Sequence, residues 1–331
     1  MSSIDIVIPC YRYGRYLRES VQSILSQGVA ECRILIIDDE SPDETPQVAQ
    51  ALVAEDPRVS YRRHSANRGH IRTYNEGIEW CESDYMLLLS ADDYLLPGAL
   101  ARAMAMLNEH PGMGLCFGEA MALDTDGVQR RMTVDVDYGK ADSVVLEGSD
   151  FIRLCVDKSA RNIVPTPTAV VRTSFLKQSG GYHLDLPHSA DMELWLRLAA
   201  CGPVGILKAD QAVYRRHTNN MSSAYFNDNR QSDLEQRKAA FDIFLAGCRD
   251  LLPEAPTLHR SLLQSLGRDA VKEASSAFNE NRLTLSDNLC KWAAGIHPEV
   301  RKSLDWKMLA CKKLIGFQAS NALRPLVARI R

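Results

Sequence analysis

Two adjacent carboxylates, Asp92 and Asp93, are the side chains of this sequence best suited to chemistry. They follow the apolar run 85–89, which is typical of a buried strand. Like charges at neighbouring positions repel, and a divalent cation removes that repulsion. Carboxylate oxygens suit Mg²⁺ or Mn²⁺, which in turn hold a diphosphate. The alternative is that one Asp caps the helix that begins near residues 97–98 while the other is solvated.

Two earlier apolar runs also end in candidate binding residues. Pro9 and Tyr11 come after the first run, and Asp38 and Asp39 come after the second. Ligands of open parallel sheets bind beyond the carboxyl ends of the strands, so these residues and the Asp pair can line one crevice. Tyr11 offers a flat face for a base, and a carboxylate at Asp39 can accept the imide N–H of uracil or thymine, which cytosine lacks. The alternatives are partial burial of Tyr11, and solvation or capping by the carboxylates.

The first 120 residues alternate between strand and helix patterns. Apolar strands are predicted at 4–8 (closed by Pro9), 34–37, 59–61 and 85–89, with amphipathic helices between them. Ser41 is the predicted N-cap of the second helix, with Pro42 at its first position and Glu44 completing a capping box. Such alternation indicates βαβ units and a mostly parallel sheet flanked by helices.

The pattern changes after residue 112. We expect a strand at 113–117, a hairpin turn at 124–127, an extended edge segment at 163–172, a helix at 191–200, and short strands at 204–207 and 213–214. From about residue 227 the chain reads as helical to its end. The predicted organisation is therefore an α/β domain over 1–226 and a C-terminal helical extension over 227–331.

Composition narrows the class of protein. The 331 residues are 45% hydrophobic and 24% charged, as in ordinary soluble domains, and the net charge of −3 does not suggest a nucleic-acid partner. The nine cysteines form no C-x-x-C pair, and the N-terminus lacks a signal peptide, so we expect reduced thiols in a cytoplasmic protein. No stretch approaches the roughly 18 apolar residues of a membrane-spanning helix.

Four motifs in this order resemble family 2 glycosyltransferases: residues 8–11, 37–43, 67–69 and 91–93. The resemblance covers roughly residues 4–220. It implies the GT-A fold and a metal-dependent, hexosyltransferase-type enzyme that uses a nucleotide-sugar donor and inverts the transferred centre. It also implies a role in the synthesis of cell-surface polysaccharides or glycoconjugates, with a UDP-sugar as the first choice of donor and a dTDP-sugar still open.

The resemblance also implies roles for single residues in the first half of the chain. Asp39 resembles the acid that reads the pyrimidine, Asp92 the residue near the donor ribose, and Asp93 the metal ligand of the DxD-type motif. Asn67 belongs to the loop beside the nucleotide. Arg72, one helical turn further on, meets a phosphate or is a solvated helix charge. Pro9 and Tyr11 complete the predicted nucleotide-binding set.

In the second half of the chain, residues 189–198 resemble the acceptor-side helix of the family. Asp191 then matches the general base, with Glu193 as the fallback, and Ala190 stands where the family usually has Glu. The alternative for Asp191 is an acid that only stabilises the N-terminus of its helix.

Residues 214–222 resemble the segment that ends the family's core. His217 is there a candidate metal ligand for Mn²⁺ or Mg²⁺, or else a hydrogen-bonded loop histidine. Arg215 or Arg216 could contact the diphosphate or an acidic acceptor, because guanidinium suits phosphate.

Two other classes of function compete with this prediction. A Rossmann oxidoreductase would need G-x-G-x-x-G after the first strand, and the turn at residues 9–14 lacks it. A non-catalytic carbohydrate-binding or scaffold protein on the same fold remains the alternative, and it would be favoured by loss of the base or of the metal-binding acids. Both are present in the sequence.

The C-terminal tail points to one more partner. Residues 306–331 contain six basic and no acidic side chains, interleaved with large apolar ones. Such a segment suits the surface of an anionic bilayer, and a lipid-linked acceptor at the inner face of the cell membrane would make this contact useful; a saccharide acceptor is also open. The alternative is that Leu309, Leu314 and Phe317 pack on the other helices. Pro325 interrupts any long helix there, and the sequence does not predict an oligomeric state.

Overall fold

A computed structural model describes residues 2–217, 220, 230–248 and 252–321. The strands are β1 (Ile4–Cys10), β2 (Cys32–Asp38), β3 (Val59–Arg63), β4 (Tyr85–Leu88), β5 (Tyr94–Leu95), β6 (Leu115–Leu123), β7 (Gln129–Met132), β8 (Ser143–Leu146), β9 (Val170–Arg172) and β10 (Val204–Arg215). The helices are α1 (Gly14–Leu25), α2 (Thr45–Glu55), α3 (His70–Trp80), α4 (Ala99–Glu109), α5 (Gly148–Asp157), α6 (Thr173–Ser179), α7 (Ala190–Ala200), α8 (Arg230–Gly247), α9 (Ala255–Asn279), α10 (Leu283–Ile296) and α11 (Leu304–Ile315). Short 3-10 turns lie at Thr166–Thr168 and Pro298–Lys302.

All of these strands belong to one sheet with the order β3–β2–β1–β4–β9–β6–β10–β5, with β7 beside β6 and β8 beside β10. The first four strands in this order run parallel, and β6 and β10 form a second parallel pair. The other pairings are antiparallel. This is the α/β sheet flanked by helices that the alternating pattern predicts, and the predicted nucleotide-binding residues lie in its parallel strands or in the segments that follow them.

Strands β1, β2 and β4 of the parallel part are buried on both faces. Ile4, Ile6 and Ile8 of β1 are fully buried in the core. On one face α3 packs very closely: a Cβ added to Gly77 would lie 2.4 Å from Cγ1 of Val7 in β1. The glycine therefore lets α3, and the loop that precedes it, sit directly against the central strand.

Three strand predictions need correction. Pro9 does not close β1, because β2 supplies parallel partners for two residues more, up to the pair of Cys10 with Asp38. The segment 163–172 is not an edge throughout, since β9 pairs with β4 on one side and β6 on the other. The two short strands predicted at 204–207 and 213–214 are parts of the single strand β10, which bulges between them. The hairpin turn at 124–127 and the helix over 191–200 are confirmed.

The predicted capping box of the second helix is wrong. Helix α2 begins at Thr45 rather than after Ser41. The carboxylate of Asp43 takes the capping role: it accepts hydrogen bonds from the backbone N–H of Thr45 at 3.2 Å and from its hydroxyl at 2.6 Å. The Ser41 hydroxyl instead accepts the N–H of Arg12 at 3.0 Å, so it ties the loop after β2 to the loop after β1.

The chain forms two compact units. The first comprises the chain up to Ile152 together with Asn162–Asn220; the second comprises Arg153–Arg161 and the described residues from 230 onward. In the second unit the regular elements are helices, as expected, and Arg237 is buried between Asp233 and Asp269. The predicted boundary at residue 226 falls outside the described residues and stays a prediction. Residues 322–331 of the basic tail, including Pro325, also lie outside them.

Candidate active site

The parallel register brings the ends of β1, β2 and β4 to one edge of the sheet. The N–H of Asp39 donates to the carbonyl of Cys10 at 2.9 Å, and the N–H of Leu89 donates to the carbonyl of Val7 at 3.0 Å. Tyr11 and Asp39 therefore begin neighbouring loops, and the loop with Asp92 and Asp93 starts beside them. This register agrees with the expectation that these residues lie at the same edge of the sheet.

The two acids after β2 have different environments. The carboxylate of Asp38 is fully buried and accepts hydrogen bonds from the Ser41 N–H at 2.7 Å and the Tyr61 hydroxyl at 2.8 Å. The carboxylate of Asp39, 4% exposed, accepts from the N–H groups of Arg68 at 2.7 Å and Gly69 at 2.9 Å. Asp38 thus holds its own loop, and Asp39 holds the loop before α3. Among the described residues, Oδ2 of Asp39 accepts only the Gly69 N–H, so its second lone pair is open to a ligand.

Of the other predicted nucleotide-binding residues, Asn67 contacts Asp39 directly. The Asn67 amide donates to the carbonyl of Asp39 at 3.0 Å. The loop before α3 therefore binds both the backbone and the carboxylate of Asp39. The Tyr11 side chain is 40% exposed, with the Arg12 guanidinium 5.3 Å from its ring centre. Pro9 is half-buried inside β1, and Arg72 is exposed on α3. A base stacked on Tyr11 would have open access.

Asp92 and Asp93 are both buried, at 4% and 3% exposure. Oδ1 of Asp93 accepts the N–H of Arg215 at 2.9 Å, while Oδ2 of Asp92 lies 3.1 Å from Nε2 of His217. Burial and the neighbouring charge of Asp92 raise the pKa of Asp93 well above its ordinary value. Ionisation of both carboxyl groups is therefore disfavoured, and a bound cation would offset that cost.

His217 supplies a further suitable ligand atom beside this pair. Its ring stacks on Tyr16 with centres 5.7 Å apart, and Tyr13 approaches edge-on at 5.4 Å. With Nε2–H directed to Asp92, Nδ1 carries the free lone pair, and this buried atom has no hydrogen-bond partner among the described residues. Those residues contain no group of three or more His, Cys, Asp or Glu that encloses a metal ion. Magnesium is commonly held by one or two carboxylates, water and phosphate, so the residues present fit such an ion.

Arg215 has a role that sequence reasoning missed. Its Nε donates to the carbonyl of Asp92 at 2.8 Å, Nη2 contacts Glu19 at 2.6 Å, and its guanidinium lies 4.6 Å from the ring centre of Tyr16. These contacts hold the guanidinium against the loop of the acid pair.

The predicted base, Asp191, lies in the first turn of α7. Its Oδ2 accepts hydrogen bonds from the Asn162 amide at 2.8 Å and the Thr166 hydroxyl at 2.9 Å, and its Oδ1 accepts the N–H of Met192 at 2.7 Å. Burial raises the pKa of Asp191, against the opposing effect of the Thr166 contact. A carboxylate with a raised pKa is a stronger proton acceptor than a solvated one. Glu193, the fallback, is buried and bound by Arg197 at 2.8 and 2.7 Å.

Three aromatic side chains, two of them on α3, form a row of ring contacts. The rings of His70, Tyr74 and Tyr182 contact each other edge-on, with centres 5.4 and 5.3 Å apart. Burial raises the pKa of the Tyr74 hydroxyl, and the charges of Asp191, Asp92 and Asp93 raise it further. Tyr74 therefore lies within electrostatic range of both acidic groups, although its helical periodicity indicated only a core residue.

Burial lowers the pKa of His70, while the charges of Asp191 and Asp39 act in the opposite direction. His70 Nε2 lies 2.9 Å from the carbonyl of Pro187 and donates to it. The charges of the three predicted groups, Asp39, the acid pair and Asp191, therefore act on His70 or Tyr74 in the N-terminal half of α3.

Comparisons with known proteins agree on the type of protein. The family model described as "Glycosyl transferase family 2" matches residues 5–175. An uncharacterized protein of Mycobacterium tuberculosis (strain CDC 1551 / Oshkosh) is 27% identical over 65% of this chain and 67% of its own length. A GalNAc(5)-diNAcBac-PP-undecaprenol beta-1,3-glucosyltransferase of Campylobacter jejuni is 29% identical, but over only 37% of this chain and 39% of that enzyme.

Solved structures share the fold. Staphylococcus aureus TarS 1–349 in complex with UDP-GlcNAc superposes with a TM-score of 0.60 at 16% identity, over 91% of this chain and 92% of that one. The mannosyltransferase PcManGT from Pyrobaculum calidifontis, in complex with GDP-Man and Mn²⁺, gives a TM-score of 0.53 at 16% identity, over 98% of this chain and 87% of that one. At such identities the likeness concerns the fold alone.

Proposed function

The chain belongs to glycosyl transferase family 2 and has the GT-A fold of a glycosyltransferase, and we propose that it transfers a sugar, with inversion, from a nucleoside diphosphate donor to an acceptor hydroxyl. The observation that carries this proposal is that the charges of three sets of carboxylates act on His70 or Tyr74, near the N-terminal end of α3. These are Asp39 at the loop it holds, the buried pair Asp92 and Asp93, and Asp191 with its raised pKa.

A uridine diphosphate sugar is the proposed donor. The spare lone pair on Oδ2 of Asp39 would accept the imide N–H of uracil, and the exposed ring of Tyr11 would stack on the base. Thymine offers the same imide, so a dTDP-sugar meets the same requirement. Neighbours in fold bind UDP-GlcNAc and GDP-Man, which leaves the base to be decided by this chain's own residues.

The acid pair is proposed to hold the donor through a divalent cation. Asp93 and His217 would be the ligands, with Asp92 supporting them, because His217 presents a buried ring nitrogen with no described partner. Bound Mn²⁺ or Mg²⁺ supplies neutralisation of the departing nucleoside diphosphate. Without the ion, burial of Asp93 and the neighbouring charge of Asp92 favour the protonated form of Asp93.

Asp191 is proposed to deprotonate the acceptor hydroxyl. Two donors occupy its Oδ2 and a backbone N–H reaches its Oδ1, so the side chain is held in one orientation. The acceptor oxygen then attacks the anomeric carbon from the face opposite the diphosphate, the bond to the diphosphate breaks, and the proton goes to Asp191. A single displacement inverts the centre and needs no covalent nucleophile.

The direct test is a screen of donors with the purified protein. Hydrolysis or transfer with UDP- or dTDP-sugars in the presence of Mn²⁺, abolished by Asp93→Ala, is the expected result. Among free nucleotides, UDP or dTDP should inhibit better than GDP. Stronger inhibition by GDP than by both would contradict the assigned role of Asp39. A folded protein that binds sugars but turns over no donor would instead favour the non-catalytic alternative.

The acceptor is proposed to be a saccharide or a lipid-linked saccharide at the cytoplasmic face of the membrane. No helix in the part of the chain that the structure describes is long and apolar enough to cross a bilayer. Helix α11 nevertheless exposes apolar side chains: Leu304 is 72%, Leu314 86% and Ile315 52% exposed, whereas Leu309 packs at 2%. Leu314 therefore does not pack on the other described helices, and a peripheral contact uses this face.

Co-sedimentation with liposomes tests the contact. Vesicles with anionic lipids should bind the full-length protein at low salt, and neutral vesicles should not. Replacing Leu304, Leu314 and Ile315 together by Ser should remove most of the binding while leaving the unfolding temperature nearly unchanged. Binding that survives this change would assign the contact to another surface.

A further inference from the structure

His64 lies between two carboxylates, one of which belongs to the predicted nucleotide-binding residue Asp39. It follows β3 and is only 8% exposed. Its Nδ1 is 2.7 Å from Oδ1 of Asp39, and its Nε2 is 2.9 Å from Oε2 of Glu76 on α3. Both ring nitrogens therefore face carboxylate oxygens.

This geometry requires a proton on each nitrogen. A neutral imidazole has one donor and one acceptor, and an ionised carboxylate can only accept. Burial acts to raise the pKa of Glu76, but the contacts of Arg62 and His64 outweigh it, and the resulting pKa is lowered. Glu76 is therefore ionised at neutral pH, with Arg62 at 2.8 Å and Arg68 at 3.0 Å as its other partners. Both hydrogen bonds of His64 exist together only when the ring is an imidazolium.

The charge balance of Asp39 depends on the same ring. The described contacts of its carboxylate are the N–H groups of Arg68 and Gly69 and the ring of His64. The nearby guanidinium of Arg63 faces Asp38 instead, at 3.4 Å. Among these contacts, His64 is the group that can bring a full positive charge to the buried Asp39 carboxylate, which is costly to bury without one.

We propose that His64 is a positioning residue for nucleotide binding, and that its protonation keeps Asp39 and the loop at residues 67–69 in the binding conformation. This inference rests on the proposed role of Asp39. When the ring loses one proton, either Asp39 or Glu76 must give up its hydrogen bond with the ring. Donor affinity should therefore fall at a pH high enough to remove that proton.

Glu76→Gln separates this mechanism from a general structural role. A Gln amide can donate to the unprotonated Nε2 of a neutral His64, while Nδ1–H still donates to Asp39. Both contacts then persist without the second proton. The variant should bind nucleotide at high pH as well as at low pH, whereas the wild type should not.

The experiment measures UDP affinity by calorimetry with Mg²⁺ between about pH 6 and about pH 8.5, the range in which histidine titrates. The wild type should lose about tenfold in affinity over this range, the size expected for one charge-assisted hydrogen bond. Glu76→Gln should show a flat profile. His64→Gln should bind UDP about 10- to 100-fold more weakly at low pH, with the KM for the donor raised and kcat nearly unchanged. His110→Gln, at the end of α4, is the matched control and should follow the wild type.

The results of these measurements can overturn the positioning role of His64 or the proposed function itself. Identical pH profiles of the wild type and Glu76→Gln would overturn the inference, as would unchanged UDP affinity in a folded His64→Gln variant. If His64→Gln does not fold, the comparison with Glu76→Gln remains decisive by itself. If the folded wild type binds no UDP, dTDP or GDP at any pH, the proposed function fails, not the positioning role alone.

Discussion

Replacing Thr166 by Val should move the acidic limb of the kcat profile to higher pH. The Thr166 hydroxyl donates to Oδ2 of Asp191 at 2.9 Å, next to the Asn162 amide at 2.8 Å. Burial raises the pKa of Asp191, and the hydrogen bond from Thr166 opposes this rise. Valine keeps the shape and removes the donor, so the pKa of Asp191 should rise further.

The size of the shift follows from the hydrogen bond that is lost. A hydrogen bond to a charged group is worth about 1.5–3 kcal/mol, and one pH unit corresponds to about 1.36 kcal/mol. Asp191 keeps its contacts with Asn162 and Met192 and is partly accessible to water, which replaces some of the loss. We therefore expect a shift of about one pH unit, at the lower end of this range. Because the base must be ionised, activity is lost as the pH falls through this pKa, and the limb moves upward.

The assay is kcat against pH with saturating donor and acceptor. The plateau at high pH should be nearly the same for the wild type and Thr166→Val. Thr168→Val is the matched control: this buried hydroxyl two residues further along bonds to the backbone of Gly118 and Pro165 and does not contact Asp191. It should lower stability without moving the limb. Asp191→Asn should reduce turnover about 10²- to 10⁴-fold and leave UDP binding nearly unchanged.

Two results would refute this reasoning. An acidic limb at the same pH in the wild type and Thr166→Val would show that the hydroxyl does not influence the ionisation that limits turnover. An equal shift in Thr168→Val would show that loosening of the turn, and not the lost donor, is responsible. Near-normal turnover of Asp191→Asn would move the base elsewhere.

Three other predictions concern stability. In the absence of divalent ions at neutral pH, Asp93→Asn should be more stable than the wild type by about 1–3 kcal/mol, because burial disfavours ionised Asp93. Added Mn²⁺ with UDP should raise the melting temperature of the wild type but not that of the variant. Gly77→Ala should cost about 1–3 kcal/mol in urea unfolding because the new methyl would overlap Val7; an unchanged midpoint would contradict the close packing of α3. Asp5→Asn should also destabilise, because Asp5 is fully buried and bound by Arg33 at two atoms. Although burial opposes it, these contacts lower the pKa of Asp5, so this stability is present above about pH 4 and is lost below it; a difference from the wild type that persists at low pH would be the contrary result.

Local patterns in the sequence predicted most elements of the first unit. The strands β1, β2 and β4 are buried on both faces, so each appears in the sequence as a nearly continuous apolar run. The predictions were wrong where a contact with a distant part of the chain replaced the local interaction that the sequence suggested. Ser41 is a good capping residue, but Arg12 on the neighbouring loop takes its hydroxyl, and Asp43 caps the helix instead. Segment 163–172 contains prolines typical of an edge, yet β9 fills the gap between two longer strands.

The positions of Asp39, Asp92, Asp93 and Asp191 were visible in the sequence, because a polar residue after a buried strand or at the start of a helix is a local signature. Their roles in binding and catalysis stay predictions. The tertiary structure adds Tyr74, whose spacing on α3 indicated only a core position.

What the sequence by itself determined is therefore the succession of strands and helices and the residues that end them, since both depend on neighbours a few places apart. The tertiary structure alone decided which groups meet. His64 reaches Asp39, 25 residues earlier, and Arg215 reaches the acid pair from more than 120 residues away. Such contacts leave no periodic trace in the chain, because they arise only when sheet register and helix packing bring distant loops to the same edge. The ionisation of the buried carboxylates, and with it the chemistry of the site, is set by those contacts.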